Sequence, residues 1–128
     1  MRYLETGDII YINETQVGPG MLRDHTLLEA AVMRPRQTVM GRDAYATIHD
    51  KAAALTHSLI KNHPFVDGNK RTALLADIAF YGLNGYVFQA PEPDVIHFIV
   101  DIASGSLDTI DDIARPLGRW TYELPGDF

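Results

Sequence analysis

Apolar positions along the chain fall into helical stripes separated by short polar breaks. Asp8 to about Thr15 reads as a first short helix, capped by Thr6, with Asp8 in the first turn where a negative charge suits the helix dipole. Val17-Gly18-Pro19-Gly20 breaks the pattern, and Asp24 caps a second stripe, Leu27, Leu28, Ala31 and Val32, which ends before Pro35. Ala44 to Ile60 carries Ile48, Ala52, Leu55, Leu59 and Ile60 at helical spacing. Thr72 to Leu83 follows with Leu74, Leu75, Ile78, Ala79 and Tyr81 or Leu83, a face wide enough to predict a central helix packed from several sides. Asn84-Gly85 ends it in a left-handed cap.

Two segments depart from helical periodicity. Gln37-Thr38-Val39-Met40, followed by Gly41, is short and partly β-branched, and predicts an extended flap or small hairpin between Arg36 and Asp43. Tyr86-Val87-Phe88 is a second extended piece. Beyond it, Pro93 opens a helix over Asp94 to Ser104 with Val95, Phe98, Ile99 and Ile102 inward. Asp108 caps a last helix through Ile110 and Ile113, interrupted near Pro116, and Tyr122 to Phe128 reads as a loose tail. The expectation is a single all-α domain over residues 1–128, a bundle around Thr72 to Leu83 with at most a small β flap.

Between the two longest stripes lies His63-Pro64-Phe65-Val66-Asp67-Gly68-Asn69-Lys70-Arg71. Pro64, Asp67, Gly68 and Asn69 are turn residues, and Asn69 suits the cap of the next helix. Lys70 and Arg71 then put two cations where the helix dipole is already positive, a conflict that a bound anion would relieve. A titratable base, His63, and a hard carboxylate, Asp67, border this anion cradle, so phosphate transfer is the chemistry the run suggests. Gly68 would let the backbone approach a phosphate, Asn69 could contact phosphate oxygens, and Lys70 and Arg71 would compensate charge, Arg as a bidentate fork. Asp67 is either a turn former or a Mg²⁺ ligand, and Arg71 either holds phosphate or pairs with Asp67. Phe65 is an anchor that fixes the loop to the core.

The same run resembles the signature of the Fic/Doc proteins, and Lys70 gives it the form of the Doc (death-on-curing toxin) branch. The resemblance implies that His63 is the general base, that Asp67 contacts Mg²⁺, that ATP is bound by the loop, and that the flap guides a target peptide by edge-strand pairing. The commoner Fic pattern has Gly at Lys70 and a second Arg at Leu74. Extra bulk and charge at 70 and a missing cation at 74 disfavour the ATP pose used for AMP transfer. Similarity to the Doc branch therefore implies a protein kinase passing the γ-phosphoryl group to a Ser or Thr hydroxyl, with elongation factor Tu as a candidate target, and AMP transfer second. The Fic inhibitory motif Ser/Thr-x-x-x-Glu-Gly/Asn is absent, so restraint would come from an antitoxin like Phd, whose segment folds into an apolar cleft.

Composition narrows the alternatives. Without cysteine there are no disulfides, thiol nucleophiles or thiolate metal sites. No apolar stretch nears membrane-spanning length and the N-terminus lacks a signal-like core, so a cytoplasmic location is expected. Eleven basic against 17 acidic residues, a net charge of −6, argues against broad nucleic-acid binding. The cations gather at Arg34, Arg36, Arg42, Lys51, Lys61, Lys70 and Arg71, which suits a local anion site or simply a solvated face. A metal phosphohydrolase built from His49-Asp50 with His25, His57 and His97 lacks tight ligand spacing, and intact His63, Asp67 and Arg71 speak against a non-catalytic binding module.

Overall fold

The structure, a computed structural model, describes residues 1–126. Six helices form the body: α1 (Thr6–Gln16), α2 (His25–Met33), α3 (Ile48–Asn62), α4 (Asn69–Leu83), α5 (Glu92–Ser104) and α6 (Ile110–Arg119). A 3-10 turn, Arg34–Arg36, leads from α2 into a hairpin of β1 (Thr38–Val39) and β2 (Arg42–Asp43). A second antiparallel pair joins β3 (Tyr86–Phe88) to β4 (Thr121–Glu123).

The central helix is α3, where the sequence pattern pointed to Thr72–Leu83. Lys51 to Thr56 are buried without interruption, as are Ser58, Leu59 and Ile60, and α3 packs against α2, α4, α5, α6 and the 3-10 turn. Ala52, Ala53 and Ala54 make this possible, because three successive small side chains let neighbours approach on every side. Thr47 caps α3 by accepting the Asp50 N–H at 3.1 Å, so the helix begins four residues later than its apolar stripe suggested.

On α4 the buried face is Thr72, Ala73, Ala76, Asp77, Phe80 and Tyr81. The larger aliphatics expected there turn outward: Leu74 and Leu75 are half-buried and Ile78 is 39% exposed. Close helix contact brings Thr72, Ala73 and Ala76 into the interface and leaves Leu74 and Leu75 to line a groove. Inside that interface Asp77 lies against Thr56, which also bonds the Ala52 carbonyl at 2.7 Å. Burial pushes the Asp77 carboxyl well above the usual range, against the opposing pull of the Thr56 hydroxyl. The Thr56 hydroxyl is the donor to both the Ala52 carbonyl and the Asp77 carboxyl, sharing its one hydrogen between them. Between the ordinary carboxyl value of 3.8 and the raised one, the folded state keeps a proton that the unfolded chain releases. Stability from this site therefore falls as pH rises through that window. Asp77→Asn removes the slope, so its melting temperature relative to the parent should be higher at pH 8 than at pH 4; equal differences at both values would refute a protonated Asp77.

Several element ends differ from expectation for identifiable reasons. Glu5, not Thr6, occupies the cap position of α1, with its N–H donating to Asp8 Oδ2 at 2.8 Å. Thr109, not Asp108, caps α6 through the Asp112 N–H at 3.1 Å, while Asp108 accepts from His57 Nε2 at 2.9 Å. That bond holds the Asp108 carboxyl below its usual value. Pro91 takes the cap of α5, which starts at Glu92 and carries Pro93 in its first turn. Pro116 does not interrupt α6, because Asp112, the residue whose carbonyl loses its partner, is exposed to water and Leu117 beyond it is buried. The segment after α6 is tied down: Tyr86 pairs with Glu123, Val87 with Tyr122, Phe88 with Thr121, and Leu124 N–H reaches the Gly85 carbonyl at 2.8 Å. Trp120 anchors it, edge-on to Phe98 and Phe88 at centroid distances of 5.2 and 6.1 Å. The remainder of the expected tail, Asp127 and Phe128, lies outside the described residues.

The flap is a hairpin, as its sequence suggested. Met40 and Gly41 both have positive φ, 52° and 76°, which is the two-residue turn that matches strand twist. Its base is fixed by the Ala44 N–H to the Gln37 carbonyl at 2.8 Å, and by Lys51 Nζ, which reaches Asp43 Oδ2 at 3.1 Å from a position 1% exposed.

Candidate active site

The loop between α3 and α4 is held by backbone pairing with the segment from Met21 to Asp24. Leu22 pairs with Phe65 in an antiparallel bridge; Val66 N–H donates to the Met21 carbonyl at 2.7 Å, and the Arg23 and Asp24 N–H groups share the Pro64 carbonyl at 2.8 and 3.1 Å. Phe65 is 2% exposed, the core anchor that its size suggested. His63 ends α3 in the left-handed region, φ 49° and ψ 57°, a conformation that costs about 1–2 kcal/mol for a residue with a Cβ. Arg23, which sequence reasoning missed, meets that turn: Nε and Nη2 donate to the His63 carbonyl at 2.8 and 2.6 Å, and Nη2 to the Asn62 carbonyl at 3.0 Å. Nothing in the motif's spacing marks Arg23, because it lies some forty residues before the carbonyls it binds.

Asn69 is the first residue of α4, and its cap position belongs to Gly68 at φ 80°. The Asn69 side chain is 6% exposed and turned back into the loop. Its Oδ1 accepts from Phe65 N–H at 3.0 Å, and Nδ2 donates to the Phe65 carbonyl at 2.8 Å and to His63 Nδ1 at 3.2 Å. Those Phe65 bonds fix which end of the amide is which. Both amide hydrogens are used, so the neutral imidazole keeps its lone pair at Nδ1 and its hydrogen at Nε2. Asn69 therefore orients His63 with an amide committed to the loop, and its backbone N–H is left without a protein acceptor among the described residues.

Gly68 also has a packing reason. A Cβ there would come within 2.5 Å of Val17 Cγ2 and 3.2 Å of Asn13 Nδ2 on the α1 side. Asn13, 1% exposed, ties the same turn down by donating to the Asp67 carbonyl at 3.0 Å and Thr72 Oγ1 at 3.2 Å. Asp67 acts as a turn former, with Oδ1 accepting the Gly68 N–H at 2.7 Å, and its other oxygen has no partner among the described residues. The first three N–H groups of α4, at Asn69, Lys70 and Arg71, likewise have no protein acceptor among the described residues, as a helix start requires.

His63, Val66, Asp67 and Gly68 to Arg71 line an open cleft of about 400 Å³. His63, Asp67, Lys70 and Arg71 are exposed, and neither cation forms an ion pair among the described residues. The structure thus brings all six expected residues together, without the Arg71–Asp67 pair. Lys70 and Arg71 also border a second groove of about 550 Å³, whose walls include Leu74, Leu75, Val95, Ile96 and Ile99. The metal-hydrolase alternative fails: no three His, Asp or Glu side chains converge among the described residues. His49 instead bonds Tyr81 Oη at 2.8 Å; burial lowers the imidazole's pKa, while burial and the nearby Asp77 push the phenol up.

Such a cleft suits a polyphosphate: helix N–H groups, two cations without ion pairs among the described residues and an exposed imidazole beside them. One free carboxylate oxygen suits Mg²⁺, which takes few protein ligands when phosphate and water supply the others.

The sequence profile of the Fic/DOC family matches residues 3–81, covering the loop, the flap and most of α4. Toxin Doc of Mycolicibacterium smegmatis is 49% identical over 125 residues, 97% of this chain and 92% of that protein. With the profile spanning more than half of the sequence and this identity running nearly end to end, the chain belongs to the Fic/DOC family.

Proposed function

We propose that the protein is the toxin of a toxin–antitoxin pair, acting in the cytoplasm as an ATP-dependent protein kinase on a Ser or Thr hydroxyl of a translation factor, with elongation factor Tu as the candidate. The observation that carries this is the exposed His63 beside the α4 N-terminus, where three N–H groups, Lys70 and Arg71 face the cleft without protein partners. The relative named Toxin Doc and the family membership support the toxin role. No helix among the described residues is long and apolar enough to cross a membrane.

The phosphates of ATP lie across the start of α4, held by backbone N–H groups and by Lys70 and Arg71. Asp67 offers its free oxygen to Mg²⁺, which when bound neutralises phosphate charge. The target hydroxyl replaces the long Asn69 contact at His63 Nδ1 and hands over its proton there, so the ring then carries a hydrogen on each nitrogen. The hydroxyl oxygen forms a bond to the γ-phosphorus as the bond from that phosphorus to the bridging oxygen breaks, and ADP leaves. Catalysis is by placement and charge neutralisation.

Leu74 favours γ-transfer over AMP transfer. It opens onto the apolar groove with Val95, Ile96 and Ile99, so this position cannot hold a terminal phosphate for the alternative pose. That groove, bordered by Lys70 and Arg71, fits an amphipathic segment of a Phd-like antitoxin, whose presence there would crowd the phosphate site.

ATP labelled at the α- or the γ-phosphate tests the reaction. Label from γ-³²P on elongation factor Tu or another protein, lost on adding the cognate antitoxin, is the expected result. Transfer of α-label instead would establish the AMP transferase, and nucleotide binding with neither label moving would leave a binding module.

A further inference from the structure

We propose that Arg23 is a positioning residue for His63, holding the catalytic imidazole through its own backbone. This rests on the transferase proposed above, with His63 as its base.

His63 is at a conformational disadvantage. It ends α3 with φ 49°, one of two positive-φ residues other than glycine among those described, and the other, Met40, is a fully exposed hairpin tip. Left-handed backbone at a functional site persists only when its surroundings determine it. The carbonyls of Asn62 and His63 are the groups such a turn strands at the negative end of a helix. Arg23 takes both in a planar fork: two bonds to the His63 carbonyl at 2.8 and 2.6 Å and one to Asn62 at 3.0 Å. Asn69 meets the far end of the same residue at Nδ1, 3.2 Å away. His63 is thus held at the carbonyl from the α2 side and at the ring from the α4 side.

The fork is itself aimed. Its backbone N–H donates to Pro64 at 2.8 Å, and Asp24 beside it caps α2 through the Leu27 N–H at 3.0 Å. Arg23 is therefore rooted in a fixed segment while its side chain is exposed to water. A lysine could reach one carbonyl as a point charge, but it cannot bridge two. A substitution that drops the fork lets ψ of residue 63 relax and moves Nδ1 from its place beside Asn69, where the target hydroxyl has to meet it. The nucleotide contacts at Asn69 to Arg71 stay in place.

The test compares Arg23→Ala and Arg23→Lys with the parent in two ways. In steady-state transfer, Arg23→Ala should lower kcat at least tenfold with KM for ATP within about twofold of the parent, and Arg23→Lys should recover part of the loss. By ¹⁵N–¹H imidazole spectra, taken where the ring is neutral, the parent His63 should show the Nε2–H tautomer imposed by Asn69. In Arg23→Ala that signal should move toward the averaged tautomers of free imidazole. Unchanged kcat, a change confined to KM, or a His63 signal identical in parent and Arg23→Ala would each overturn the proposal. The spectra need no turnover: a parent that moves no label defeats the transferase, and the spectra still decide whether Arg23 holds the ring.

Discussion

His63→Ala is expected to lower transfer to the target hydroxyl by about 10²- to 10⁴-fold, the usual contribution of a positioned base. The ring is exposed, and its one side-chain bond is the 3.2 Å contact from Asn69, so the fold has little invested in it. The backbone is the complication, because alanine is a poor occupant of φ 49°. His63→Asn separates the two effects: asparagine tolerates left-handed backbone and cannot act as a base at neutral pH. Both variants should keep the parent's helical spectrum and lose transfer together. A His63→Asn protein that still moves label at the parental rate would remove the imidazole from the reaction.

Gly68→Ala is expected to destabilise the protein by roughly 2–5 kcal/mol, combining about 1–2 for left-handed backbone with about 1–3 for overpacking. The new methyl would meet Val17 Cγ2 at 2.5 Å and press on the Asn13 amide at 3.2 Å. Since Asn13 holds the Asp67 carbonyl and Thr72, the strain passes directly into the turn that shapes the cleft. Melting should drop by about 10 °C or more. Adding Val17→Ala should return the packing share and leave the backbone share, a double-mutant cycle whose coupling isolates the contact. A melting temperature within about 2 °C of the parent for Gly68→Ala alone would show that α1 does not brace this turn.

How far the sequence revealed the site depends on how local each signal is. Asp24 announces α2 because a cap acts over three residues, and the run from His63 to Arg71 is legible for the same reason: its chemistry is contiguous. The hairpin too is local, fixed by Met40-Gly41. Long-range competition was hidden. Leu74, Leu75 and Ile78 look like a core face, yet Ala73 and Ala76 are the buried small side chains, while Leu74 and Leu75 line the groove and Ile78 is exposed. Asn69 has the chemistry of a cap, but a partner four residues back, Phe65, claims its amide. Thr121 to Glu123 is too short to read as a strand until Tyr86 to Phe88 lies beside it. Asp77 sits on an interface that helical periodicity alone would assign to apolar residues.

Lys51 bears on how a target must approach. Its ammonium is enclosed beneath the hairpin, with Asp43 of β2 as its sole carboxylate among the described residues and the Pro35 carbonyl at 3.4 Å behind it. Lifting the whole hairpin would separate the ammonium from its counter-charge, which the ion pair opposes. The strands near Asp43 are thus the anchored end of the hairpin, and Val39, Met40 and Gly41 form its exposed outer end. For the transferase proposed above, a target strand that pairs with this hairpin would have to arrive extended, which selects against hydroxyls buried in rigid helices.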